Sequence, residues 1–179
     1  MNQYLVMCEG PNEKAIIDLL IDNNKMIISR HDLLNREVFF ARQIKNSPII
    51  QSALKTYNKK VNVIRIGDKL SDELKITKEF AKLIHKDAIK KVCTKPELEI
   101  LLVINENLFK EYNKVKNKIS PKEFAKKYIK YNRDKYNNST DFWNKYYSSD
   151  INKLVNNIKE YKRLKKNFKG EEYLADYLL

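Results

Sequence analysis

The stretch Gln3–Leu20, QYLVMCEGPNEKAIIDLL, decides the fold. Tyr4–Cys8 is a continuous apolar run, as expected of a strand covered on both faces, and it stops at Glu9-Gly10. Pro11 follows with the fixed φ favoured at a first helical position, and Ala15, Ile16, Leu19 and Leu20 recur at helical spacing. The reading is strand, tight turn, helix, with Asn23-Asn24 as the stop.

Working outward, Val61–Ile66 (VNVIRI) alternates and is rich in β-branched residues, which predicts a strand ending at Gly67-Asp68. Ile89–Thr94 predicts another strand, and Lys25–Ser29 a short one. Residues 31–43 lack a clean period and read as loop and partial helix. Helices are predicted after Ser47-Pro48 (Ile49, Ile50, Ala53, Leu54, Tyr57), over Thr77–Ala88 behind a Thr77 cap, and from Pro96 through Leu98, Leu101, Leu102 and Ile104. Strand alternating with helix predicts an α/β fold, a small, mostly parallel sheet flanked by helices over residues 1–109. Parallel strands end together on one edge, where ligands bind in such folds, and Glu9, Asp68 and the segment after Thr94 would meet there.

The rest of the chain, 110–179, differs in kind. Lys110–Lys169 holds 18 Lys/Arg against 6 Asp/Glu, nearly all of the chain's net charge of +13, and its cations are interleaved with tyrosines. It is expected to be a basic, Tyr-rich helical extension packed on the first part. Ile151–Phe168 reads as an amphipathic helix and Glu171–Leu179 as a short terminal helix. Phe124, Ile129, Phe142, Trp143, Leu154 and Ile158 suit a core, whereas Tyr131, Tyr136 and Tyr146 are open to a role in stacking bases. Lys126, Lys127, Lys130 and Arg133, with Lys162, Arg163, Lys165 and Lys166 on the last long helix, are candidate contacts to nucleic-acid phosphates. The alternative is a solvated basic surface with no partner.

Cys8 and Cys93 lack metal-site spacing and are expected to be buried thiols. With no signal peptide and no run near the ~18 apolar residues of a membrane span, the expectation is a cytoplasmic protein that does not enter membranes.

Glu9 and Glu13, four residues apart across a strand-to-helix turn, would point their carboxylates at one spot beyond the sheet. Joined by a third acid such as Asp68, they would form a hard oxygen site for Mg²⁺ or Mn²⁺, an ion that activates water for phosphodiester hydrolysis. On the alternative reading Glu13 complements a helix dipole and Glu9 satisfies turn amides.

CEGPNEKAIIDLL resembles the opening motif of the topoisomerase-primase (TOPRIM) domain, most closely the version in overcoming-lysogenisation-defect nucleases and related phage-defence proteins. The resemblance implies that Glu9 and Glu13 are metal ligands and that the chain is a nuclease in antiviral defence. The family's second motif is an acidic pair ending the third strand; VIRIGDKLSDEL offers Asp68, with Leu70 in the place of the second aspartate. TKPELEILLVIN is similar to the strand-to-helix segment of restriction-associated TOPRIM-like proteins, where a proline is followed three residues later by a glutamate. That match puts Pro96 and Glu99 in those roles, with Glu97 as a stand-in. The implied metal and catalytic set is therefore Glu9, Glu13, Asp68 and Glu99, with Lys69 or Lys95 stabilising charge on the phosphate. Another function class stays open: a degenerate module that binds nucleic acid or a partner ATPase. That ATPase would be a separate protein, since the chain has no GxxxxGK[ST] loop.

Overall fold

A computed structural model describes residues 3–68, 73–94, 97–165 and 172–179. In chain order the strands are β1 (Tyr4–Cys8), β2 (Leu33–Phe40), β3 (Val61–Gly67), β4 (Ile84–Cys93), β5 (Lys130–Tyr131), β6 (Asp134–Lys135) and β7 (Glu172–Tyr173). The helices are α1 (Pro11–Asp22), α2 (Pro48–Tyr57), α3 (Lys78–Ala81), α4 (Ile100–Asn105), α5 (Phe109–Val115), α6 (Pro121–Tyr128), α7 (Thr140–Ser148) and α8 (Ile151–Leu164).

The fold is α/β. Its sheet runs β2-β1-β3-β4-β7, every pair parallel, with helices on both faces. β1 sits between β2 and β3, so the strand order reverses there, and Glu9 and Asp68 leave the sheet on either side of that switch point. Alternation along β1 and β3 divides the core. Val6, Cys8, Ile64 and Ile66 face α1, α4 and the helices that follow, whereas Leu5, Met7, Val61 and Val63 face α2 and α3.

The basic segment completes the first of these two layers. α7 and α8 bring Trp143, Tyr147, Leu154 and Ile158 into one apolar cluster with Ile16, Leu20 and Leu101, and the tail returns as the edge strand β7. Among the described residues no helix is long and apolar enough to cross a membrane. Cys8 and Cys93 are buried, and burial pushes the Cys8 thiol well up.

Four local expectations are corrected. Residues 33–40, read as loop and partial helix, form edge strand β2. Its period is hidden by a bulge: Tyr4 faces Leu33 but Val6 faces Val38, and Asn35 and Arg36 take positive φ between them. Lys25–Ser29 is no strand but makes a single bridge, Met26 to Leu178. The helix expected over Thr77–Ala88 is only the turn Lys78–Ala81; Ile84–Ala88 already belongs to β4, where a second bulge moves the register from Val61 opposite Ile84 to Val63 opposite Ile89. The terminal segment is strand β7 followed by a 3₁₀ turn at Leu174–Tyr177, because sheet pairing at Cys93 captures Tyr173.

Candidate functional site

Glu9 prolongs β1, its amide donating to the Ile66 carbonyl at 3.0 Å. Strand alternation turns its side chain to the α2 face, where Arg65 Nη2 donates to Glu9 Oε1 at 2.7 Å. Both side chains are nearly sealed, at 3% and 6% exposure. The carboxylate lies flat over Gly67: a Cβ there would stand 2.2 Å from Glu9 Cδ. Glycine is needed at this position for close approach.

Glu13 occupies the first turn of α1, folded over Gly10, whose missing Cβ would meet Glu13 Oε2 at 2.2 Å. Burial lifts its carboxyl above the ordinary value, and Glu99 and Asp68 lift it further; its own backbone amide and Lys122 act the other way. Topology puts Glu13, Asp68 and Glu99 at the same edge, since each lies in a segment that follows the carboxyl end of a parallel strand: β1, β3 and β4. Asp68 is half-buried there, directly after β3.

Glu99 stands at the start of α4 and is 3% exposed. Tyr136 Oη donates to its Oε1 at 2.7 Å, and Lys122 Nζ lies 3.9 Å from the same oxygen. Burial raises the Glu99 carboxyl, and the contacts from Tyr136, its own backbone and Lys122 offset this only in part. Burial and the neighbouring Glu99 charge keep the proton on the Tyr136 phenol. Asn12, buried in the first turn of α1, donates to Asn138 Oδ1 at 3.0 Å, so the segment that carries Tyr136 is pinned beside Glu13.

The acids at this edge offer an all-oxygen donor set, which suits a hard divalent cation in kind. As the side chains stand, no three His, Cys, Asp or Glu groups among the described residues are close enough to hold one ion. Glu9 is bound to Arg65 and Glu99 to Tyr136 instead.

Comparison with protein families, with characterised proteins and with solved structures returned no match. The site is therefore read from its own geometry.

Of the expected nucleic-acid contacts, Lys69, Lys95 and Lys166 lie outside the described residues, as does Pro96. Lys126, Lys127, Lys130 and Arg133 are exposed. Those of α8 have internal partners: Lys162 pairs with Asp176, Arg163 forks onto Glu160, and Lys165 lies over the rings of Tyr161 and Tyr173. Two of the tyrosines considered for stacking are core, Tyr136 at 2% and Tyr146 at 6% exposure, and Tyr131 packs edge-on against Tyr146. Their hydroxyls find acceptors, the buried Glu99 for Tyr136 and the exposed Glu106 for Tyr146, which is why polar aromatics are stable there.

Two residues of the site, Arg65 and Lys122, escaped sequence reasoning, and the sequence opens a third, Tyr136, only to a role in stacking bases. Arg65 had a legible signal, a cation inside a strand otherwise buried, which requires a carboxylate close by. Lys122 and Tyr136 had none, since only the packing of α6 and of the segment after β6 brings them to Glu99.

Proposed function

We propose that this chain is a Mg²⁺- or Mn²⁺-dependent phosphodiesterase of the TOPRIM type, acting on DNA or RNA in phage defence. One observation carries the reading: acids from three separate segments, Glu13, Asp68 and Glu99, follow the carboxyl ends of parallel strands at the switch-point edge of the sheet, and burial holds the Glu13 and Glu99 carboxyls above their ordinary values. A divalent ion bound there would polarise a phosphoryl oxygen and supply an activated water. Glu13, Asp68 and Glu99 would hold it, and Glu9 would join them on release from Arg65. Lys122, beside Glu99, is placed to neutralise charge on the phosphate. Tyr136 and Asn12 orient the carboxylate edge through their hydrogen bonds.

The test is cleavage of plasmid, single-stranded DNA and structured RNA with Mn²⁺ by wild type, Glu9→Gln and Glu13→Ala. Cleavage by wild type and its loss in Glu13→Ala is expected. Equal cleavage by all three proteins, or none by any, removes the hydrolytic reading.

The Glu9–Arg65 pair favours a second reading, a module that binds nucleic acid or a partner ATPase without catalysis, Leu70 standing where a second aspartate would be. It predicts binding that survives Glu9→Gln, steeply salt-dependent for nucleic acid and salt-insensitive for a protein partner.

A further inference from the structure

The cations at the end of α8 differ from those of α6 and the β5–β6 hairpin. Lys162, Arg163 and Lys165 have partners within the fold, Asp176, Glu160 and two tyrosine rings, whereas Lys153 in the first turn of α8 is exposed with no acid at ion-pair distance among the described residues. On α6, Lys122 lies by Glu99 and Lys127 over the Tyr128 ring, but Lys126 and the hairpin's Lys130, Arg133 and Lys135 are exposed, and none of these four has an acid at ion-pair distance among the described residues.

The hairpin concentrates this excess. Lys130 and Lys135 are cross-strand partners, so two like charges sit directly opposite, an arrangement that destabilises a ladder unless an anion intervenes. Its turn, Asn132-Arg133, takes positive φ at both residues, which places an arginine at the tip in a conformation that glycine or asparagine adopts more readily. The one acid of the hairpin, Asp134, is exposed.

These charges lead to the carboxylate edge. Lys122 and Lys126 share one side of α6, and Lys122 Nζ is the cation 3.9 Å from Glu99. At the far end Lys135 is followed by Tyr136, whose hydroxyl is bonded to the same Glu99 carboxylate. α6 and the hairpin are thus tied to the site at both ends.

We infer that α6 and the β5–β6 hairpin form the track that carries a polynucleotide's phosphodiester backbone to the carboxylate edge, Lys126, Lys130, Arg133 and Lys135 contacting successive phosphates and Lys122 the one at the site. The α8 face takes no part. This rests on the polynucleotide reading above, not on its hydrolytic step.

The test is fluorescence anisotropy in EDTA with labelled single-stranded DNA, single-stranded RNA and duplex DNA. Two triple variants of equal charge change are compared with wild type: Lys126→Gln/Lys130→Gln/Lys135→Gln and Lys162→Gln/Arg163→Gln/Lys165→Gln. On whichever probe wild type binds, the track variant is expected to lose affinity about tenfold or more. Its logarithmic salt slope should fall by about one per lost phosphate contact. The α8 variant should stay within about twofold. Equal losses, or a larger loss from α8, overturn the track. A wild type that binds none of the probes overturns it together with the polynucleotide reading. Binding along the track by a chain that never cleaves with Mn²⁺ removes the hydrolysis and keeps this inference.

Discussion

Glu9, at the end of β1, meets a guanidinium at 2.7 Å on the α2 face of the sheet, whereas Glu13, across the Gly10-Pro11 turn, has no ion pair among the described residues and lies within the electrostatic influence of Glu99, Asp68 and Lys122. One strand-to-helix turn therefore feeds two electrostatic regimes. The Glu9 region is neutralised and sealed, so its charge serves packing. The Glu13 carboxyl is raised by burial and by Glu99 and Asp68, a state that favours a bound proton or a cation. The contrast teaches that motif spacing identifies acids at a site without saying which of them are available for chemistry.

The largest effect expected from breaking the comparison is at Arg65. Arg65→Met takes the guanidinium from a buried carboxylate and should lower unfolding free energy by about 3–5 kcal/mol in urea titrations. Adding Glu9→Gln should restore most of the loss, because the uncompensated charge goes with it. A single variant as stable as wild type would show that the pair does not hold the β1–β3 edge.

Gly67→Ala comes next. Its Cβ would displace the Glu9 side chain, at a cost of about 1–3 kcal/mol in thermal or chemical unfolding. Wild-type stability would mean that the close approach is easily relieved.

A smaller effect, of opposite sign, is expected on the Glu13 side. Glu13→Gln removes one of the crowded carboxylates and should stabilise the chain at neutral pH by about 0.5–2 kcal/mol. The sign follows from proton linkage. Glu13 and Glu99 hold protons more tightly folded than unfolded, so their contribution favours the native state at acid pH and declines as pH rises through their raised values. Asp32, held low by hydrogen bonds from the Ser29 side chain and backbone, and Glu160, held low by its Arg163 fork, act in the opposite sense and lose their contribution as pH falls through their values. Unfolding curves recorded from pH 7 downward toward 4.5 should show a shallower gain for Glu13→Gln than for wild type. Parallel profiles would place Glu13 outside the crowded set.

The smallest effect is reserved for α8. Lys162→Gln breaks a half-exposed pair with Asp176 and should change stability by no more than about 1 kcal/mol. A larger loss would give that pair an unexpected part in fixing the returning tail.

Much of this protein was legible in the chain. YLVMC and VNVIRI are apolar or β-branched along their whole length, and PNEKAIIDLL carries Pro at its start and a helical period, so β1, α1 and β3 followed from local chemistry alone. Glu9, Glu13 and Asp68 sit at the ends of those elements, and a parallel arrangement then forces them to one edge. The elements that escaped were those whose pattern is broken by a bulge: β2 loses its alternation at Asn35-Arg36, and β4 slips register after Ile84. Periodicity requires an unbroken ladder, and a bulge is set by the neighbouring strand.

What the sequence by itself determined is a parallel α/β fold with acids at strand ends and a basic second half, because hydrophobic period and charge are local properties of the chain. Only the tertiary structure decided how those charges are matched. It assigned Arg65 to Glu9, brought Tyr136 and Lys122 to Glu99, and gave Lys162 and Arg163 carboxylate partners that Lys130, Arg133 and Lys135 of the hairpin lack among the described residues. Charge pairing acts across a few ångströms between residues far apart in sequence, so it exists only once packing has fixed which surfaces meet.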